Sequence, residues 1–135
     1  VQLPPSLAFD AGTAGPFFAR LRARTDTQLV CEPRHPSWFA ADAEALLCAV
    51  AVARVAADPA PVAAAADPGG WPGLQYRRLH GSPRVYYSDY APERLAQTAA
   101  SLSGVSVEAW CIFDNTALGH ATANALDLRG RLGRR

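Results

Sequence analysis

The sequence predicts an α/β fold built on a parallel sheet covered by helices, and three observations carry that reading. Short apolar runs alternate with longer stretches of helical periodicity along the 135 residues. The apolar runs are near-continuous, as expected of strands buried on both faces. Pro, Gly, Asp and Asn punctuate the boundaries between the two kinds of segment. At about 100–200 residues per domain, the length corresponds to one domain.

Taken in order, Val1-Gln2-Leu3 reads as the last residues of a strand, closed by Pro4-Pro5. A helix is expected over Ala14 to Arg24, because Phe17, Phe18 and Leu21 recur at helical spacing with the arginines mostly off that stripe. Gln28 to Cys31 is a short apolar strand leading into Glu32. Ala40 to Val52 is rich in Ala and Leu, good helix formers, and Leu46, Leu47 and Val50 give it an apolar face. Val52 to Ala57 is a further strand, stopped by Asp58-Pro59. The Pro-, Gly- and Ala-rich segment from Pro59 to Gly73 reads as a surface loop. Leu74 to Leu79 is a strand ending in His80-Gly81. Pro92 to Leu102 is a helix with proline in its first turn. Ser106 to Phe113 is the last strand and Ala117 to Leu132 the last helix. Two architectures satisfy this order. One is an open, doubly wound, flavodoxin-like sheet; the other is part of a (β/α)8 barrel, which needs about 250 residues when complete.

Composition narrows the function classes. The net charge of +1 gives no strong field for nucleic acid or an acidic membrane. No apolar run approaches the ~20 residues of a membrane span, and no basic-then-apolar leader opens the chain. Cys31, Cys48 and Cys111 are odd in number, widely spaced and set among apolar neighbours. They are expected to be small buried hydrophobes in a reducing, cytoplasmic setting rather than a zinc ribbon, a redox pair or a catalytic thiol. The sequence holds no Met, so a trimmed start or a piece of a longer chain is expected.

The chemistry-bearing residues fall at strand ends, where both architectures bind ligands. Gln2 ends the first strand, Glu32 through Trp38 the second, Asp58 the third, His80-Gly81 the fourth and Asp114-Asn115 the fifth. Glu32 suits general acid/base work or an ion pair with Arg34 or Arg78; beside arginine its pKa is lowered, which favours an ionised anchor. Arg34 and Arg78 suit a bidentate grip on carboxylate or phosphate. His80, with open access before Gly81, and His35 are the candidates for proton transfer. Asp58 is a further catalytic candidate by position, although Asp-Pro is also an ordinary turn opening. Asp114 and Asn115 suit substrate hydroxyls, or cap the turn that follows. Trp38, Tyr86, Tyr87 and Tyr90 could build a stacking wall for a sugar or base ring, or simply fill the core. Glu32, His80 and Asp114 are metal-ligand types, but no H-x-H or H-E-x-x-H pair occurs and the arginines would repel a cation. No metal site is assigned, and no cofactor is named by the residues.

Four blocks carry a resemblance. Glu32-Pro33-Arg34-His35-Pro36-Ser37-Trp38 resembles the E-x-R-H-x-S-W signature of the YecE-like family, known as domain of unknown function 72. Gln2-Leu3-Pro4-Pro5-Ser6 is similar to its Q-x-P-P-S segment. Tyr76 to Gly81 with Tyr86 to Tyr90 resembles its Y-x-R-x-H-G and Y-Y-S-x-Y blocks, and Phe113-Asp114-Asn115 through Asn124-Ala125 resembles its ending. The resemblance implies a TIM-type barrel. Because family members are about twice as long and begin with a G-x-S-G-W/Y-type block absent here, it implies the last five βα units without the first three. It implies a site and no particular reaction.

The expectation is therefore a strand-end pocket for a small anionic or polyhydroxylated ligand. Glu32, His80, His35 and Asp58 are its acid/base candidates, of hydrolase or isomerase type. Gln2, Arg34, Trp38, Arg78, Tyr90, Asp114 and Asn115 are its binding candidates. A nucleic-acid-binding or nuclease-like surface over Arg34, Arg78 and Arg84 is the alternative, opposed by the near-neutral charge. A third reading is a non-catalytic fragment whose open strand edges pair with another copy or a partner.

Overall fold

The computed structural model describes residues 1–133. Helices α1 (Ala11–Arg22), α2 (Ala41–Ala49), α3 (Pro92–Ser103) and α4 (His120–Leu132) pack around two three-stranded sheets. One sheet has the order β1 (Leu29–Cys31), β2 (Val52–Arg54), β4 (Gly69–Gly70). The other has the order β3 (Ala56–Asp58), β5 (Leu74–Leu79), β6 (Glu108–Phe113). All pairings are parallel except that of β4 on β2.

The expected single strand Val52–Ala57 is thus two. Its first part pairs with β1 and its second with β5. The join is Val55, whose N–H still donates to Cys31 O at 2.8 Å. At the other edge Gln2 bridges Glu32 in parallel, with Leu3 N donating to Glu32 O at 3.0 Å. From Gln2 to β6 the parallel segments therefore lie side by side in chain order. The reversal of strand order that marks a flavodoxin-like sheet does not occur among the described residues.

Helix boundaries follow local chemistry. α1 starts at Ala11, not Ala14, because Asp10 caps it: its carboxylate accepts the Thr13 N–H at 2.8 Å. Pro16 consequently sits inside α1 rather than at its start. Arg22, at the dipole-favoured end of α1, donates to Thr27 O at 2.9 Å and to Ala51 O at 2.5 Å, fixing the helix to two turns. α2 stops at Ala49, three residues short of the expected end, and the chain turns through Ala51 at φ 53°. α4 begins at His120 rather than Ala117, because Gly119 breaks the run with φ 82°.

The segment Pro59–Gly73 is more than a surface loop. It holds a 3-10 turn, Ala63–Ala66, with Ala65 buried, and then β4. A buried arginine anchors β4. Arg54 donates from Nε to Glu44 and from Nη1 to Asp67 O at 3.2 Å, with its guanidinium 4.8 Å over the Phe39 ring. Glu44 in turn accepts the Gly70 N–H. A Cβ on Gly69 would collide with the Arg54 and Glu44 side chains, and Gly70 holds φ +64°.

Two hydrophobic clusters hold the molecule. The first joins Ala14, Phe18, Cys31, Trp38, Leu47 and Val52. The second joins Leu79, Tyr90, Leu95, Ala99, Phe113 and Leu128. Cys31 is buried as expected, Cys111 only partly, and Cys48 is exposed on α2, against expectation. Nor is β6 buried on both faces: Glu108, Ala109 and Trp110 are exposed, leaving it a free edge. Among the described residues no helix is long and apolar enough to cross a membrane.

Candidate active site

Parallel pairing brings the strand ends level. His80 N donates to Asp58 O and Asp114 N to Leu79 O, both at 2.8 Å, so the residues after β3, β5 and β6 emerge on one rim. Arg78 and His80 are two apart on an extended backbone and share a face. Glu32, after β1, projects toward them across the seam between the sheets.

Glu32 is the hub and is buried. Its Oε1 accepts from Gln2 Nε2 at 3.2 Å and lies 3.3 Å from His80 Nε2. Its Oε2 accepts from Arg78 Nη1, while Arg78 Nη2 donates to Asp114 Oδ2. Arg34 Nε stands further off, 3.9 Å from Glu32 Oε1. Burial by itself would raise the Glu32 pKa. Hydrogen bonds from His80 and Arg78, with their charge, outweigh it and hold the carboxyl at about 2. Glu32 is therefore an ionised anchor and not a proton donor near neutrality. The paired carboxylates likewise push the Arg78 pKa up against its partial burial.

His80 lies between the two acids. Its Nδ1 is 3.1 Å from Asp114 Oδ2 but misaligned, so that buried nitrogen has no hydrogen-bond partner in the structure. The group borders a cavity of about 270 Å³. Glu32, Arg34 and His80 are its polar lining; Ala57, Pro59, Pro61, Val85 and Tyr86 are among the rest. Among the described residues no group of three or more His, Cys, Asp or Glu side chains is arranged to hold a metal ion. Arg78 bridges Glu32 and Asp114 where a cation would have to sit.

The other sequence candidates lie elsewhere. His35 Nδ1 accepts the Ser37 N–H at 3.2 Å and caps the short 3-10 turn Pro36–Phe39. Trp38 is in the first core, its Nε1 donating to Leu7 O at 3.0 Å and its ring 5.0 Å from Phe9. Asp58 pairs with Arg94 at 3.1 Å. Tyr90 is in the second core, where its hydroxyl accepts the Gly81 N–H at 2.8 Å and donates to Asp58 O at 3.2 Å. Burial pushes its pKa up. Asn115 is fully buried, donating from Nδ2 to Ser88 O at 3.0 Å and Asn124 Oδ1 at 2.7 Å. These side chains shape the strand ends rather than line the cavity. Burial pushes the Cys31 thiol up to about 12 and that of Cys111 to about 11, so both stay protonated near neutrality.

One part of the cavity wall was not legible in the sequence, and another only as one of several candidates. The Pro59–Pro61 stretch forms a wall although its composition reads as linker. Tyr86, one aromatic of four considered, is the one that reaches the cavity. Its place in the loop directly after His80-Gly81, ahead of the residues that enter α3, was the available signal.

Residues 1–135 match the family model described as "Protein of unknown function DUF72". No curated protein matches the chain. Among solved structures, two of a DUF72 family protein from Enterococcus faecalis are similar over the whole chain. Their TM-scores are 0.78 at 20% identity and 0.75 at 17% identity. A DUF72 family protein from Thermotoga maritima is similar over 98% of the chain, with TM-score 0.74 at 24% identity. The chain spans 60%, 58% and 56% of the lengths of these three, and the likeness is one of fold.

Proposed function

The chain belongs to the DUF72 family, and from that premise we propose that it is the larger part of a (β/α)8 barrel carrying a strand-end pocket for a small anionic or polyhydroxylated ligand, with acid/base chemistry of hydrolase or isomerase type. Sequential parallel neighbours, the free edge at β6 and the fraction of the solved relatives that it spans support the barrel. The observation that carries the pocket is the cluster of Glu32, Arg78, His80 and Asp114 beside the cavity, with Glu32 and His80 buried and Arg78 and Asp114 half-buried.

The roles follow from what each group has left to give. Arg78 is committed to two carboxylates. Arg34, with 40% of its side chain exposed, has only a long contact to Glu32 and faces the cavity, so it meets the anion. His80, which lines the cavity and is held between Glu32 at Nε2 and Asp114 at Nδ1, carries the proton. Glu32, kept ionised, orients the imidazole, while Gln2 holds Glu32 and Asp114 holds Arg78 in place. Thermal-shift screening with inorganic phosphate, sugar phosphates and polyols tests this. A hit that weakens at least tenfold in Arg34→Ala is expected. An unchanged affinity removes Arg34 from the site, and no hit from any anion or polyol overturns the pocket.

A nucleic-acid surface is a second reading, supported by Arg84 stacked 3.9 Å over the Tyr87 ring on the exposed loop beside the cavity. Retention on single-stranded oligonucleotide that falls with salt would favour it; no retention at low salt removes it. Self-association along the β6 edge is a third, supported by exposed Trp110. Light scattering that stays monomeric at rising concentration argues against it.

A further inference from the structure

The walls of the cavity are unlike, and a bare anion uses only one of them. Glu32, Arg34 and His80 offer charge and hydrogen bonds, whereas Pro59, Pro61, Val85 and Tyr86 offer ring faces and methyl groups. A cavity of about 270 Å³ lies at the small end for ligand sites, the size of one sugar unit rather than of a drug-sized molecule.

Tyr86 is the odd member of that apolar wall. It holds φ 70°, a backbone region that bulky residues avoid. Two backbone hydrogen bonds keep it there. Its N–H donates to His80 O at 2.6 Å, and its carbonyl accepts the Ala117 N–H at 3.1 Å. Its ring stands edge-on to the His80 ring, centroids 6.2 Å apart. Yet the side chain enters neither core and stays 48% exposed. A strained backbone that delivers a large ring to solvent gains nothing from burial in the protein itself. Held by those two hydrogen bonds, Tyr86 lines the cavity beside the His80 ring.

We infer that Tyr86 is the stacking platform for a sugar ring, and that the ligand is an anionic monosaccharide, a sugar phosphate or a uronic acid. This rests on the pocket reading above. The C–H face of the ring packs on Tyr86 and Val85, and the charged substituent reaches Arg34. Ring hydroxyls then face Glu32 and His80.

Titration calorimetry on the whole chain tests it with four probes: inorganic phosphate, ribose 5-phosphate, glucose 6-phosphate and glucuronate. At least one sugar anion should bind tenfold or more tightly than inorganic phosphate. Tyr86→Gly removes the ring and suits the positive φ, so it folds; it should cost the sugar anion at least tenfold and leave phosphate unchanged. Tyr86→Phe should restore the sugar affinity to within about threefold. If phosphate binds and the sugar ring adds nothing, or if Tyr86→Gly leaves the sugar affinity intact, the inference fails while the pocket stands. If none of the four binds, both fail.

Discussion

The two sheets are built on different principles. The cluster against β1 and β2 is apolar: Phe18, Trp38, Leu47 and Val52 are buried in it, while the buried Arg54 of β2 lies outside it, paired with Glu44 and Asp67 O. Around β5 and β6 the core carries polar groups as well. Tyr90, Asn115 and Asn124 are buried among Leu79, Leu95, Phe113 and Leu128 and are joined by hydrogen bonds. An apolar core fills space but directs little. A hydrogen-bonded polar core fixes orientation, at the cost of desolvating every member and, here, of leaving Asn115 Oδ1 without a partner. The second sheet contributes three of the four titratable groups of the cluster, Arg78, His80 and Asp114. The first contributes Glu32, and that carboxylate joins the two halves at the rim.

The comparison is most sharply tested from its apolar side. Phe18→Ala should cost about 3–5 kcal/mol by cavity formation, read by chemical denaturation. Hydrogen exchange should quicken first in β1 and β2; equal quickening in β5 and β6 would mean the halves are one cooperative unit. Glu32→Ala attacks the joint and should cost about 3 kcal/mol, because Arg78 and His80 lose a buried counter-charge. Here exchange should quicken at strand ends of both sheets. Asn115→Ala leaves buried partners unsatisfied in the second sheet, for an expected loss of about 1–3 kcal/mol. A loss no larger than that of a surface substitution would show that the polar network does not fix the β6 end.

Acid should act mainly through the joint. With Glu32 held at about 2 in the folded protein and near 4.3 unfolded, the unfolded chain takes up the proton first. The stability it contributes is complete above about pH 5 and is lost as pH falls toward 2. Glu32→Gln should flatten that part of the pH–stability profile; an unchanged profile would place the acid sensitivity elsewhere. The smallest effect is expected at His35→Ala, about 1 kcal/mol for the lost cap, with ligand affinity unchanged.

Legibility in the sequence followed the same divide. β5 was readable to the residue and α3 to within one, because Gly73 and His80-Gly81 punctuate the strand at both ends and Pro92 opens the helix, and both are local signals. The strand-end positions of Glu32, His80 and Asp114 were also readable, since chain order places them. Side-chain direction was not. Trp38 and Tyr90 are aromatic and close to the rim in sequence, but each turns into a core and satisfies its polar atom on backbone there. Asp58 sits at a strand end yet meets Arg94, a partner 36 residues away. β4 left no trace at all, because two glycines have no side chains to show periodicity, and its stability comes from Arg54 and Glu44 on other elements.

That last arrangement gives one stretch of chain two opposite tolerances to substitution. Between Pro59 and Gly73 the composition is as plain as that of a tether. Ala63, Ala64 and Ala66 are exposed, and in a library of variants most residues would be accepted there. Three positions on, Gly69 would accept none without displacing the Arg54 guanidinium, and Gly70 none without strain. Variation would thus accumulate in the middle of the segment while its end stays pinned. The wall that Pro59 and Pro61 offer the cavity could then change its width without the sheet behind it changing its pairing.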